Sequence, residues 1–313
     1  MATTLYQPRG GHIDHKYYDS LYSRTFDNIV IRNDEVPREG AQFFSERTTN
    51  LADYKEGEVS SVLETPRKNE DTARIPLLTP VEGYNKTWTN SQYRSGFMVT
   101  RRAVKSQKTR MIAKMLTGLP KSAQRLEELA YASMFNGAFA TETGGDGSYL
   151  CAADHNHEDI SYGTWSNTGT PAAFSTTSYF AAWLSFQTRK NEKGYTDPMV
   201  PETVLYVPAI HEAVMKVRGS DKYPQNSLNA KLPELFGQFK PVIGHWMTST
   251  TNWFVHAKVD EADRGFVIVW QDKPTYEKLS DGMNPEMIMG RRLLMSFSVA
   301  GLHGRDWYGN SGA

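Results

Sequence analysis

The sequence predicts an α+β chain with extended peripheral parts and one mixed core. Three observations predict it. Residues 1 to about 100 are polar and only weakly patterned, residues 104–139 carry the longest helical period, and beyond residue 200 short β-rich runs surround one amphipathic helix.

Residues 1–45 hold scattered aromatics (Tyr6, Tyr17, Tyr18, Tyr22, Phe26) without a sustained period. Such a segment has little to bury against itself, so an extended arm ordered only by something else is expected. Residues 46–100 alternate weakly, with turn signals at Glu56-Gly57, Thr65-Pro66 and Glu82-Gly83 and the charged run ETPRKNEDTAR mid-way. This predicts a long two-stranded excursion with a solvated tip. An isolated hairpin is marginal in water, so it should lean on a neighbour.

From Val104 the period changes. Val104, Met111, Ile112, Met115, Leu116 and Leu119 lie on one helical stripe, which Gly118-Leu119-Pro120 should end or kink. A second stripe follows to about Phe139 through Leu126, Leu129, Ala130, Ser133, Met134 and Gly137, with Ser122 as its expected cap. Ser175 caps a third predicted helix carrying Tyr179, Phe180, Trp183, Leu184 and Phe186, and Phe174 is placed for a hydrophobic staple. TVLYVP (203–208) then reads as a strand and AIHEAVMKVRG as a helix ended by Gly219. After the polar loop SDKYPQNSLN come strands at PVIG, WFVHAK and GFVIVW, and a long β-like ending around EMIMGRRLLMSFSVAGLHG.

Bulk properties exclude little and name no partner. Thirty-five basic and thirty-five acidic residues cancel. The hydrophobic fraction is 39%, and adding the 24 glycines brings it to the usual range of roughly 45–50%. Cys151 is the only cysteine, so no internal disulfide can form, which suits a reducing compartment. The start MATTLYQPRGGHIDH lacks an apolar core and is not expected to be a signal peptide. The longest apolar run, Tyr179 to Leu184, is far short of the ~20 residues of a membrane helix. A soluble intracellular product is expected.

The loop GGDGSYLCAADHNHED, Gly144 to Asp159, poses the main chemical question. His155 and His157 point the same way only if the segment is a strand. A structural zinc site wants four ligands in paired spacing, and Cys151 stands alone with no second His/Cys pair downstream. The acids do not follow the spacing of a calcium loop. His12 and His15, with Asp14 between them, lie in the expected arm. No metal or other cofactor is therefore assigned. No phosphate-cradling G-x-x-x-x-G-K-[ST] and no G-x-S-x-G elbow occurs. Cys151 reads as a small buried residue rather than a nucleophile activated by His155. Glu127 and Glu128 are adjacent, a poor arrangement for an acid–base pair. Catalysis is unsupported, and an enzyme is not expected.

One charge feature stands out. Arg101, Arg102, Lys105, Lys108, Arg110, Lys114, Lys121 and Arg125 fall in a stretch without a single acid. Such a helix face can lie against phosphate without reading sequence. The alternative is a solvated face balanced by acids of a neighbouring element, Glu127 and Glu128 included.

The run LEELAYASMFNGAFATETGGDGSYLCAADHNH resembles the end of the long helix in HK97-fold major capsid proteins of tailed bacteriophages, with its helix, N-x-x-F, Gly/Asp loop and D-H turn. TVLYVPAIHEAVMKV is similar to their strand–Pro–helix step, NSLNAKLPELFGQFKPVIGHWMTSTTNWFVHAK to the following loop and strands, and RRLLMSFSVAGLHGRDWYGNSG to their closing strand and tail. The resemblance covers roughly residues 95–313 and rests on the order of parts. It implies an N-terminal arm (1–45), an extended loop (46–100), a peripheral domain with a long spine helix (101–202), an axial domain (203–282), and closing strands with a tail (283–313). It further implies hexamers and pentamers in an icosahedral virion shell, assembled in the host cytoplasm around double-stranded DNA. Arg101, Arg102, Lys105, Lys108, Arg110 and Lys114 would then face the DNA non-specifically.

A separate scaffolding protein, a portal and a decoration protein are the further partners implied, and no membrane. In this frame Gly144, Gly145 and Gly147 would supply positive φ, and Asp154 and His155 would tie the turn. The alternatives are an encapsulin-like cargo compartment, a hydrolase using His155, His157 and Asp154, or a tail or decoration protein.

Overall fold

A computed structural model describes residues 15–34, 38–59, 82–106, 109–157, 160–191, 195–218, 239–279 and 287–312. His12, Lys108, the run ETPRKNEDTAR and the loop SDKYPQNSLN lie outside the described residues. In chain order the elements are α1 (His15–Asp34), β1 (Ser45–Thr48), β2 (Asp53–Val59), β3 (Glu82–Thr89), β4 (Ser91–Thr100), α2 (Arg101–Lys105) and α3 (Thr109–Gly137). Then follow β5 (His155–Asn156), β6 (Thr164–Trp165), α4 (Thr176–Gln187), β7 (Pro201–Tyr206), α5 (His211–Arg218), β8 (Lys240–Ile243), β9 (Trp253–Ala257), β10 (Phe266–Lys278), β11 (Met287–Gly301) and β12 (Trp307–Asn310). Among the described residues no helix is long and apolar enough to cross a membrane.

The chain divides into two compact units. The first takes the segment up to Pro37 together with Gln92–Leu126 and Asp272–Ser296. In it β10, β11 and β4 are neighbours in that order. Where an extended arm was expected, α1 is a 20-residue helix. The reason is tertiary. Tyr22 and Phe26, four residues apart and thus on one helix face, are buried, and the Phe26 ring lies 5.9 Å from Phe97 and 5.5 Å from Tyr276. The Arg291 guanidinium lies 5.6 Å from the same ring. A face this narrow shows no period until its partner is present.

The two helices expected around Pro120 are one. Pro120 lies inside α3, although a proline removes one N–H and costs a helix interior about 3 kcal/mol. Ser122 caps nothing and its hydroxyl donates back to the Leu119 carbonyl at 2.7 Å. Ile112, Leu116 and Leu119 are buried as the first stripe predicts, with Ala123 continuing the face. The second stripe is rotated. Glu127, Glu128, Tyr131, Met134 and Phe135 are buried, while Leu129 is exposed.

The second unit holds Arg38–Ser91, Glu127–Gln271 and Phe297–Ala313. Its centre is a sheet of order β12-β9-β7-β8, in which β7 runs parallel to β8 and antiparallel to β9. One face packs Val204, Tyr206, Trp253 and Val255 against Tyr179, Ala182 and Phe186 of α4 and Val214 and Val217 of α5. The alternate residues face an aromatic cluster. Phe135 lies 5.3 Å from Phe254 and 5.0 Å from Trp307, and Phe43 lies 5.2 Å from Trp307. Covered on both faces, β9 is buried at every position, the pattern of an inner strand.

The predicted strands in this half all form, and α4 carries the expected cap. Ser175 accepts from the Ser178 amide at 3.2 Å, Ser178 returns the bond at 2.8 Å, and Phe174 lies 6.0 Å from Tyr179 as a staple requires. β1 runs parallel to β10 from Ser45 opposite Val267 to Thr48 opposite Trp270. The hairpin of β2 and β3 pairs Asp53 with Thr89 through Gly57 with Asn85. Of the expected 46–100 excursion, then, these two strands form the hairpin, and β4 pairs elsewhere, beside β11.

Candidate functional site

The Gly144–His157 loop belongs to the second unit and is organised around a buried histidine. His155 is 2% exposed, with Nδ1 2.8 Å from Asp146 Oδ2 and Nε2 3.1 Å from Asn167 Oδ1. Asn167 Nδ2 donates to the carbonyls of Leu150 and Gly304, so its oxygen faces the ring, where it also accepts from the Ala152 amide. Both imidazole nitrogens thus lie within hydrogen-bond distance of side-chain oxygens. Trp165 stacks on that ring at 4.2 Å and 14°. Arg305 lies 4.8 Å from the Trp165 ring and pairs with buried Glu58 at 2.8 Å.

Burial raises the Asp146 carboxyl, but the hydrogen bond from His155 and its charge, with help from Ser148, outweigh this and hold it below the usual carboxylate range. Lys86 donates to the Thr143 carbonyl at 2.7 Å, and burial pulls its ammonium below the usual lysine range.

Two expectations for this loop need correction. Among Gly144, Gly145 and Gly147, only Gly147 has positive φ, at 78°. Gly145 is small for another reason, since a Cβ there would lie 3.1 Å from Tyr84 Cβ and 3.2 Å from the Leu302 carbonyl. Asp154 is exposed, and Asp146 ties His155 instead. In the two-residue ladder His155 faces Trp165. His157 is also buried, its ring edge-on to Tyr162 at 6.2 Å. Cys151 is buried and its thiol is pushed up to about 12 by that burial, so no thiolate is available near neutrality. Among the described residues no group of three or more His, Cys, Asp or Glu is placed to hold a metal ion. His15 opens α1.

A cavity of about 490 Å³ in the second unit is lined by charges of both signs, among them Arg47, Glu56, Glu58, Lys258, Arg264 and Arg305. Arg47 pairs with Glu56 at 3.2 Å, and Arg305 with Glu58, so these charges are matched inside the chain.

The basic run lies in the first unit. Thr100 caps α2 by accepting from the Ala103 amide, and Arg102 and Lys105 are exposed while Arg101 is half-buried. On α3, Arg110, Lys114, Lys121 and Arg125 are all exposed. At 3.6 residues per turn they fall within about 60° of one another and run for about 22 Å. Ile112, Leu116, Leu119 and Ala123 occupy the opposite, buried side. The acids offered as a counterweight are engaged elsewhere. Glu127 pairs with Arg38, and Glu128 accepts from the Gly40 amide at 3.2 Å.

Sequence reasoning missed Asp146, Trp165, Asn167 and Arg305. Their only signal was density of polar and turn residues in GGDG, TWSNTG and HGRDW, which shows that a polar junction exists but not who meets whom.

The sequence profile of a family described as phage capsid protein matches residues 85–309. No curated protein sequence matches the chain. Among solved structures, a chain from Microbacterium phage Oxtober96 is similar with a TM-score of 0.54 at 11% identity, covering 89% of this chain and 92% of that one. The procapsid protein of bacteriophage JBD30 is similar with a TM-score of 0.50 at 8% identity, over 95% of this chain and 76% of that one. The holo-SrpI encapsulin of Synechococcus elongatus PCC 7942 is similar with a TM-score of 0.50 at 10% identity, over 88% of each chain.

Proposed function

The chain belongs to the phage capsid protein family and has an HK97-like fold, and from this we propose that it is the major head subunit of a tailed bacteriophage. Copies assemble into hexamers and pentamers that close an icosahedral shell around double-stranded DNA. The family match across residues 85–309 carries the reading.

In this reading residues 1–45 are the arm, 46–100 the extended loop built on β2 and β3, and 101–202 the peripheral domain with α3 as its spine. Residues 203–282 form the axial domain, and 283–313 the closing strands and tail. A shell subunit buries surface on its neighbours, so interface area replaces core, and heterologous contacts close the rings. Assembly takes place in the host cytoplasm with a separate scaffolding protein and a portal, and a decoration protein is the outer partner. The role is structural and requires no catalytic residue.

The basic residues are proposed to face the packaged DNA: Arg101, Arg102, Lys105, Lys108, Arg110 and Lys114, extended along α3 by Lys121 and Arg125. What supports this is the one-sided stripe on α3, which neutralises phosphate without reading bases. Reversing Arg110, Lys114 and Lys121 to Glu should leave shells intact but shed DNA at lower salt than wild type. Unchanged DNA retention across a salt series would rule the stripe out.

The similarity to the SrpI encapsulin supports a second reading, a cargo compartment of the same fold. Sedimentation with nuclease protection separates the two. Multi-megadalton particles holding nuclease-resistant double-stranded DNA are expected when the chain is produced with its packaging machinery, whereas particles filled with an enzyme favour the compartment. A species no larger than a dimer contradicts both.

A further inference from the structure

We propose that the turn joining β11 to β12 is a proton-operated switch: His303 exchanges the Arg305 amide for the Asp306 carboxylate, and the exchange alters the hold on the base of the β2–β3 hairpin. The inference goes beyond the shell reading and does not depend on it.

Every group involved belongs to the second unit. Asp306 is 1% exposed. Its Oδ2 accepts from the Gly265 amide at 3.1 Å and lies 3.3 Å from His256 Nε2 of β9. Its Oδ1 is buried and accepts no hydrogen bond among the described residues. His303 Nδ1 stands beside that oxygen at 3.7 Å. The nitrogen is already engaged, because the Arg305 amide donates to it at 3.4 Å. A ring nitrogen that accepts carries no proton. His303 thus turns a lone pair toward an unserved carboxylate oxygen. Only a glycine at 265 permits this packing, since a Cβ there would lie 2.6 Å from His303 Nδ1 and 2.8 Å from Asp306 Oδ1.

Protonation of Nδ1 inverts the arrangement. The new N–H cannot face the Arg305 amide, and Oδ1 becomes its acceptor in a charge-assisted bond. An imidazole ordinarily changes charge between about pH 5 and 8. Burial raises the Asp306 carboxyl, but the approach of His256, the charge of His303 and the Gly265 amide outweigh this and hold it below the usual carboxylate range. The carboxylate is therefore ionised when the proton arrives. The His303 side chain is 18% exposed, so the proton reaches it without unfolding.

The surrounding charges do not compete for Oδ1. Arg189 donates to the Arg305 and Trp307 carbonyls, and Asp146 holds His155 across a crevice that His303 also lines. Toward the 490 Å³ cavity, Arg47 pairs with Glu56, while Asp197, Lys258, Asp260, Asp263 and Arg264 also line the wall. Arg305 carries the change outward. Its amide is the one His303 releases, while Nε donates to Glu58 Oε1 of β2 at 2.8 Å and a terminal nitrogen donates to the Lys190 carbonyl at 2.9 Å. A small shift of the turn is passed through these bonds to the strand that begins the hairpin.

Hydrogen exchange of the full chain at about pH 7.5 and about pH 5.5, with labelling times scaled for the intrinsic pH dependence, reads the switch. Peptides containing Arg305 and peptides of β2 should lose protection about tenfold or more at the lower pH, while those of β7 and β9 do not change. His303→Gln keeps an acceptor for the Arg305 amide but takes no proton, and should abolish the loss. Should that variant misfold, Asp306→Asn keeps an oxygen for the Gly265 amide without the charge, and should abolish it too. Equal protection of wild-type Arg305 peptides at both pH values, or a loss that persists in either folded variant, overturns the proposal. A response confined to the turn overturns its link to β2.

Discussion

Two stretches of the second unit reverse the usual relation between polarity and exposure. The Gly144–His157 loop is crowded with polar side chains, yet His155 and His157 are 2% and 1% exposed. α4 has no charged residue, yet leaves Phe180 and Leu184 in solvent. The difference lies in where each finds its partners. His155 finds its polar partners inside the chain, in Asp146 and Asn167, so its burial costs little. α4 meets the sheet core on one side only, through Tyr179, Ala182 and Phe186. The loop, which looks like a reaction centre in the sequence, is therefore structural.

Breaking the loop should cost most. Asn167→Ala removes the acceptor for His155 and Ala152 and the donor for Leu150 and Gly304, leaving several buried groups unpaired. A loss of about 3 kcal/mol or more is expected in urea unfolding of the unassembled subunit. A loss below about 1 kcal/mol would mean that the network is not the loop's anchor.

Acid should weaken the same network. The folded Asp146 carboxyl titrates below its unfolded value of about 3.9, so its contribution is complete above that value and is lost as pH falls through the folded one. Asp146→Asn should flatten the fall of stability below about pH 4, and an unchanged acid limb would argue against the ion pair. Gly147→Ala should cost about 1 kcal/mol from its φ of 78° alone, because no atom lies within 4 Å of the added methyl. Leu184→Lys, at a position 49% exposed on α4, should shift subunit stability least, by less than about 0.5 kcal/mol in the same urea unfolding. A large stability loss there would place that face in the core and erase the contrast.

Legibility in the sequence followed the range of the forces involved. The cap and staple of α4 involve neighbours in the chain, so Phe174 and Ser175 could be read directly. Strands β7, β8 and β9 were legible because buried runs such as WFVHA announce themselves, whereas β12 fell in the segment expected as a tail. Features decided by distant partners were not. α1 needs Phe97 and Tyr276 to bury Phe26. The rotated face of α3 needs Arg38 and Gly40 to receive Glu127 and Glu128. Pro120 reads as a stop by local rules, yet it is buried within a continuous helix. For the loop, Asp154 adjoins His155 in sequence, but the carboxylate that reaches the ring is Asp146. The basic stripe was visible as composition, and only the helix phase showed that Arg110, Lys114, Lys121 and Arg125 share one side.

The most direct measurement is negative-stain electron microscopy of the chain expressed alone and then with the neighbouring genes of its source. Closed polyhedral particles, or sixfold and fivefold rings, are the predicted result. A monodisperse monomer or dimer under both conditions would contradict the shell account.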